Sequence, residues 1–237
     1  MGSNKRDKLP QPSSNAEVAA FLREVAATPV RTTGMRGRLI FAMDATASRE
    51  PTWHSACEIQ GQMFAETAKL GGLNIQLCYY RGLSEFDTGP WLSRSTDLLA
   101  RMRSVFCVGG QTQIEQVLRH TIAETKRKKV NALVFVGDCM EEDADRLCQY
   151  AGELGLLAVP VFIFHEGDEP RAERTFRQIA RLTRGVYCRF DARSAQQLRD
   201  LLSAVAVYAA GGRRALQDFS KSKGGIALQL TQQLGKG

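Results

Sequence analysis

"LIFAMDATASRE", residues 39–50, begins as an apolar run and ends in polar oxygen. Leu39 to Met43 has the unbroken apolar character of a strand buried on both faces, the signature of a parallel sheet. Asp44 stops the run, and Thr46 and Ser48 follow at every second position with only alanine between them. A carboxylate and two evenly spaced hydroxyls at the exit of a buried strand either cap a turn or gather oxygen ligands. The rest of the chain has to decide between the two.

Further apolar runs mark strands at Asn74–Tyr80, Ala132–Gly137, Pro160–His165 and Val186–Phe190, beside the first at Arg38–Met43 and a weaker edge strand at Phe86–Leu92. Helical spacing fills Thr52–Lys69, Thr96–Arg103, Gln113–Lys126, Glu142–Leu154, Ala172–Leu182 and Ala195–Tyr208. Gly71, Gly155 and Gly185 read as helix stops, and "TQIE" (112–115) and "SAQQ" (194–197) as capping boxes. Pro160 cannot donate to a ladder, so its strand should begin there. Strands alternating with helices predict an α/β fold: a doubly wound, mostly parallel sheet with helices on both faces, Rossmann-like, in the order 3-2-1-4-5-6.

The chain has 237 residues, 43% of them hydrophobic, enough for one sizeable core. The body is expected over 38–210. It would be preceded by a flexible leader, 1–37, with room for a short amphipathic helix at 15–27, and followed by a basic tail, 211–237. The net charge of +7 belongs to these ends, because 1–38 and 211–237 carry +4 each and the body is left at −1. That weighs against a nucleic-acid-binding body, which would carry its own basic footprint. The longest apolar stretch, Leu156–Phe164, is too short to cross a bilayer, and the polar start lacks a signal peptide's apolar core. The expectation is a cytoplasmic protein with its six cysteines reduced, since none forms a CxxC pair.

Ligands of doubly wound sheets bind at the carboxyl ends of strands, where the strand order reverses. Asp44 follows the first strand, and Asp138, in "VGDC" (136–139), follows the fourth; in the expected order these strands are neighbours at the reversal. "GGQT" (109–112) adds Thr112 at the start of the helix leading into the fourth strand. Asp44, Thr46, Ser48, Thr112 and Asp138 offer only oxygen, the donor that hard cations such as Mg²⁺ prefer. Zinc or copper would favour His or Cys, which this set lacks. Helix capping explains any one of these residues as well, but not their convergence from three segments.

The set resembles the metal-ion-dependent adhesion site of the von Willebrand factor type A (VWA) family, whose pattern is Asp-x-Ser-x-Ser after the first strand, a Thr in a glycine loop, and an Asp after the fourth strand. "DATAS" (44–48), "GGQT" and "VGDC" match it in order and spacing over about residues 38–210. Thr46 stands where the first serine is usual and Cys139 where glycine is common, and "MEED" (140–143) adds carboxylates at the rim. The resemblance implies direct ligation by Thr46, Ser48 and Thr112, and ligation partly through water by Asp44 and Asp138. It also implies bound Mg²⁺ (or Mn²⁺) with one open position for an Asp or Glu of a partner protein.

The alternative is a metal-dependent phosphohydrolase using the same site. Its candidate helpers are His54, His165 and Cys139, with His120 a weaker one in mid-helix. No GxxxxGK[ST], GxGxxG or GxSxG motif accompanies them. A third reading, binding of nucleic acid or an acidic partner, rests on Arg171, Arg174, Arg177, Arg181 and Arg184 along one helix side and on "KRKK" (126–129). Neither cluster is interleaved with aromatic residues, and a solvated outer face explains the first as well.

Overall fold

The computed structural model describes residues 37–50, 53, 73–190 and 203–210. Six strands form one sheet: β1 (Gly37–Asp44), β2 (Leu73–Arg81), β3 (Glu85–Leu92), β4 (Ala132–Gly137), β5 (Val161–Glu166) and β6 (Val186–Phe190). Their order is β3-β2-β1-β4-β5-β6. All neighbours run parallel except β3, which returns antiparallel along the edge of β2. Pro90 is tolerated in β3 because an edge strand has one side free of the ladder.

Four helices are described throughout: α1 (Ser95–Arg103), α2 (Ile114–Arg127), α3 (Ala144–Leu156) and α4 (Pro170–Leu182). Residues 203–210 are also helical, two residues beyond the expected end at Tyr208. Side-chain alternation along β1 sends Leu39, Phe41 and Met43 to one face, against Leu98, Met102 and the helical 203–210 stretch. Ile40 and Ala42 point to the other face, against Val117, Leu147 and Phe176 of α2, α3 and α4. Burial on both faces is why β1 reads as a continuous apolar run rather than an alternating one.

The helix stops differ from expectation. Gly155 lies inside α3, and the left-handed residue after that helix is Ala158, with φ of 52°. After α4 it is Arg184, with φ of 55°, rather than Gly185. Both glycines serve close packing: a Cβ would lie 2.3 Å from the Leu182 carbonyl oxygen at Gly155 and 2.0 Å from the Val161 carbonyl oxygen at Gly185. The strand expected from Pro160 begins one residue later, at Val161. Helix α4 begins earlier than expected, at Pro170, with the Glu169 carboxylate accepting from the Arg171 and Ala172 N–H groups. The 15–27 helix, most of Thr52–Lys69, Gly71, "SAQQ", His54 and the basic tail lie outside the described residues. Among the described residues, no helix is long and apolar enough to cross a membrane.

Candidate metal centre

The strand order reverses between β1 and β4, which pair in parallel, so their carboxyl ends stand side by side. Met43 pairs with Val136, which leaves Asp44 abreast of Gly137, one residue before Asp138. Asp44, Asp138 and Cys139 each present a ligand atom, and these atoms all lie within 4.8 Å of one another. Cys139, which follows Asp138, thus places a thiol beside the two carboxylates.

Asp44 is fully buried. Its Oδ1 accepts from the Thr46 N–H at 2.7 Å, and its Oδ2 accepts from the Tyr80 hydroxyl at 3.0 Å. Burial is the main reason its carboxyl is pushed up to about 6, with the nearby Asp138 adding to the rise and the Thr46 and Tyr80 hydrogen bonds opposing it. Asp138 Oδ1 is buried and, among the described residues, has no hydrogen-bond partner. A buried carboxylate oxygen without a donor, beside a second buried carboxylate, is an electrostatic debt that a cation would offset.

The hydroxyls are arranged for something other than capping. Thr46 occupies the N-cap position of a short 3-10 turn, Ala47–Arg49, yet its side chain caps no N–H. Its Oγ1 lies 3.1 Å from Ser48 Oγ instead. Thr46 is buried and Ser48 exposed, so the pair runs from the crevice to solvent. The turn is anchored by Arg49, whose buried guanidinium pairs with Glu166 at the end of β5.

Thr112 is buried, and it is not a capping residue either. Helix α2 starts at Ile114 after Gln113, which makes no side-chain cap. The Ile114 and Glu115 N–H groups donate to the two oxygens of Glu142, each at 2.7 Å. Thr112 N–H donates to the Glu141 carboxylate, and Thr112 Oγ1 accepts from the Glu141 N–H, both at 3.1 Å. Glu115, the expected partner of the box, reaches Arg146 of α3 instead. The "MEED" carboxylates therefore clamp the Thr112 loop to the segment that carries Asp138. Gly110 lets this loop sit against the β2–β3 turn, for a Cβ there would lie 1.9 Å from the Gly82 carbonyl oxygen.

The two described histidines among the candidate helpers are engaged in structural contacts. His165 is fully buried; its ring nitrogens contact the Tyr187 hydroxyl at 2.8 Å and the Asp138 carbonyl oxygen at 3.1 Å. Burial lowers its imidazole below the ordinary value. The ring thus braces the segment bearing Asp138. His120 contacts Gln76 Oε1 at 2.8 Å. Burial, followed by the Asp138 and Asp44 charges, pushes the Cys139 thiol up to about 12. The five arginines of the α4 region are all exposed, with Phe176 and Ile179 buried beneath them: a solvated outer face.

Solved structures share this architecture. The SpRpn10 VWA domain matches with a TM-score of 0.58 and 12% identity, covering 71% of this chain and 94% of that one. The fold is that of a VWA domain. Proximal thread matrix protein 1 of the mussel byssus, in a form whose adhesion-site motif is occupied by zinc, matches this VWA-like chain with a TM-score of 0.58 and 15% identity. That match covers 72% of this chain and 46% of the other. The pilus adhesin SpaC of Lactobacillus rhamnosus GG matches at 0.60 and 10% identity, covering 80% and 31%. This chain therefore spans nearly all of the first protein but less than half of the other two. No protein-family model and no curated protein matches its sequence.

Three site features were missed in the sequence: Tyr80 as a donor to Asp44, and Glu141 and Glu142 as clamps. Tyr80 carried a usable signal, because it pairs with Asp44 in register at the end of the neighbouring strand. The clamps carried none, since each acts on residues at least 27 positions away.

Proposed function

We propose that this VWA-like domain binds a divalent cation, Mg²⁺ or Mn²⁺, through Asp44, Thr46, Ser48, Thr112 and Asp138, and uses it to engage an acidic residue of a partner protein. The observation that carries the proposal is the buried Asp138 Oδ1, which has no donor among the described residues and lies close to the buried Asp44 carboxylate. Once bound, the ion supplies an electrophilic coordination position that a carboxylate can fill. The chain's own part is positioning. Tyr80 and the Thr46 N–H fix Asp44, the Glu141 and Glu142 clamps hold Thr112 beside the Asp138 segment, and His165 braces that segment from below.

A protein partner suits the rim. Leu83 and Phe106 are 77% and 64% exposed. Arg81 stacks over Phe106, and Gln111 N–H bonds the Gly82 carbonyl, so the segments that carry both apolar side chains adjoin the loop before Thr112. Exposed apolar side chains next to an ion site give a partner something to bury around its carboxylate. The phosphohydrolase alternative gains no support, because the histidines available for it among the described residues are engaged in structural contacts. We also place the domain in the cytoplasm, as a body of residues 38–210 with basic ends, where its thiols stay reduced.

Calorimetry with Mg²⁺ and Mn²⁺ tests the reading. Wild type should bind one ion, and Asp44→Ala should bind none. Capture of a partner from cell extract should be lost on adding chelator and in Asp44→Ala. Equal ion binding by the two proteins removes the proposal.

A further inference from the structure

We infer that Cys139 is itself a metal ligand, and that Asp44, Asp138 and Cys139 form a mixed oxygen–sulfur set for a thiophilic divalent cation such as Zn²⁺. This inference rests on the crevice being a cation site, and it changes the class of ion the crevice can hold.

Geometry is the first support. The donor atoms of Asp44, Asp138 and Cys139 lie mutually within 4.8 Å. Ligands at tetrahedral zinc, with Zn–S of about 2.3 Å and Zn–O of about 2.0–2.2 Å, are separated from one another by about 3.5 Å. Closing around an ion therefore needs movement of about an ångström. The Asp138 and Cys139 side chains can provide it by rotating, because both residues are only partly buried. Asp44, by contrast, is held at the end of β1 by Tyr80 and Thr46 and would act as the fixed point.

The buried Asp138 Oδ1 is the second support. Among the described residues this oxygen has no hydrogen-bond partner, so it can accept a cation without breaking a hydrogen bond of its own. The neighbouring carboxylates do not compete for that role. Glu141 is engaged with Thr112, and Glu142 with the first N–H groups of α2.

Donor chemistry then decides the ion. A hard ion gains little from sulfur, whereas zinc, cobalt and cadmium gain strongly from thiolate. The thiol proton leaves to solvent as the sulfur coordinates. Three protein donors leave a fourth tetrahedral position, the arrangement of open zinc sites, and a partner carboxylate or water can fill it. Thr46, Ser48 and Thr112 are not needed for this set, so Mg²⁺ and Zn²⁺ would use overlapping but different donors in one crevice.

Cobalt(II) reports directly on the sulfur. Titration of wild type with Co²⁺, followed by absorption, should give a near-ultraviolet thiolate-to-metal charge-transfer band with the intense visible bands of a tetrahedral ion. Cys139→Ser should lose the charge-transfer band and bind Zn²⁺ about tenfold or more weakly, while its Mg²⁺ affinity stays within about twofold. Asp44→Asn should lose the band while keeping Cys139, which rules out the remaining thiols as its source. Co²⁺ bound by wild type without the band, or a band that survives Cys139→Ser, overturns the inference and leaves the oxygen-only cation site intact. Failure of wild type to bind any of Mg²⁺, Mn²⁺, Zn²⁺ or Co²⁺ overturns the inference together with the reading on which it rests.

Discussion

Asp44 is a carboxylate in a place that disfavours carboxylates. Burial raises it from 3.8 to about 6, so the folded chain holds its proton over a range in which the unfolded chain has released it. The sign follows: Asp44 costs nothing below the unfolded value, and its cost grows as pH rises to about 6 and then levels off. A shift of this size corresponds to about 3 kcal/mol at most. Asp44→Asn keeps an acceptor for the Thr46 N–H and removes the charge. In the presence of chelator it should stabilise the protein by about 1–3 kcal/mol at pH 8 and by almost nothing at pH 4. Calorimetric melts at the two pH values check this, and a difference independent of pH would show that charge burial is not the cause. Added divalent cation should raise the melting temperature of wild type above pH 6 and leave Asp44→Asn unchanged.

At the scale of elements, the start of α2 shows how a local motif can mislead. "TQIE" has the spacing of a capping box, but the first N–H groups of α2 are satisfied by Glu142, from the loop after β4. The box needs Thr112 to face its own helix, whereas here its hydroxyl faces Glu141. Glu142→Ala should therefore cost about 1–2 kcal/mol and speed hydrogen exchange at Ile114 and Glu115. Glu115→Ala should leave those two amides protected. The reverse ranking, measured by urea unfolding and exchange, would restore the local cap. The strands themselves were legible because parallel burial writes a continuous apolar run, and β4 and β6 fall on the expected boundaries. Helix ends were less so. Ala158 and Arg184 took the left-handed positions that Gly155 and Gly185 were expected to hold. Those glycines answer to close backbone packing, which no local pattern reveals.

At the scale of the whole molecule, the Arg49–Glu166 pair ties the turn after β1 to the end of β5 across the top of β4. The Arg49 side chain is 1% exposed and that of Glu166 13%, so losing one partner leaves the other charge poorly solvated. Arg49→Met should destabilise the protein by about 3 kcal/mol and weaken cation binding by loosening Thr46 and Ser48. The double variant Arg49→Met with Glu166→Gln should recover part of the stability. Denaturant unfolding of the single and double variants reads the coupling, and additive losses would show that the pair does not act as a unit.

By itself the sequence determined the layer architecture and the acidic and hydroxyl residues at the carboxyl ends of β1 and β4, and the strand order was expected from the common doubly wound arrangement. Periodicity and strand-end chemistry are local and survive in a linear string. Only the tertiary structure decided that Tyr80 holds Asp44, that Glu141 and Glu142 clamp the Thr112 loop, and that Cys139 stands among the carboxylates. Those contacts depend on strand register and on loops meeting at a shared edge, and both are set by how the whole sheet packs.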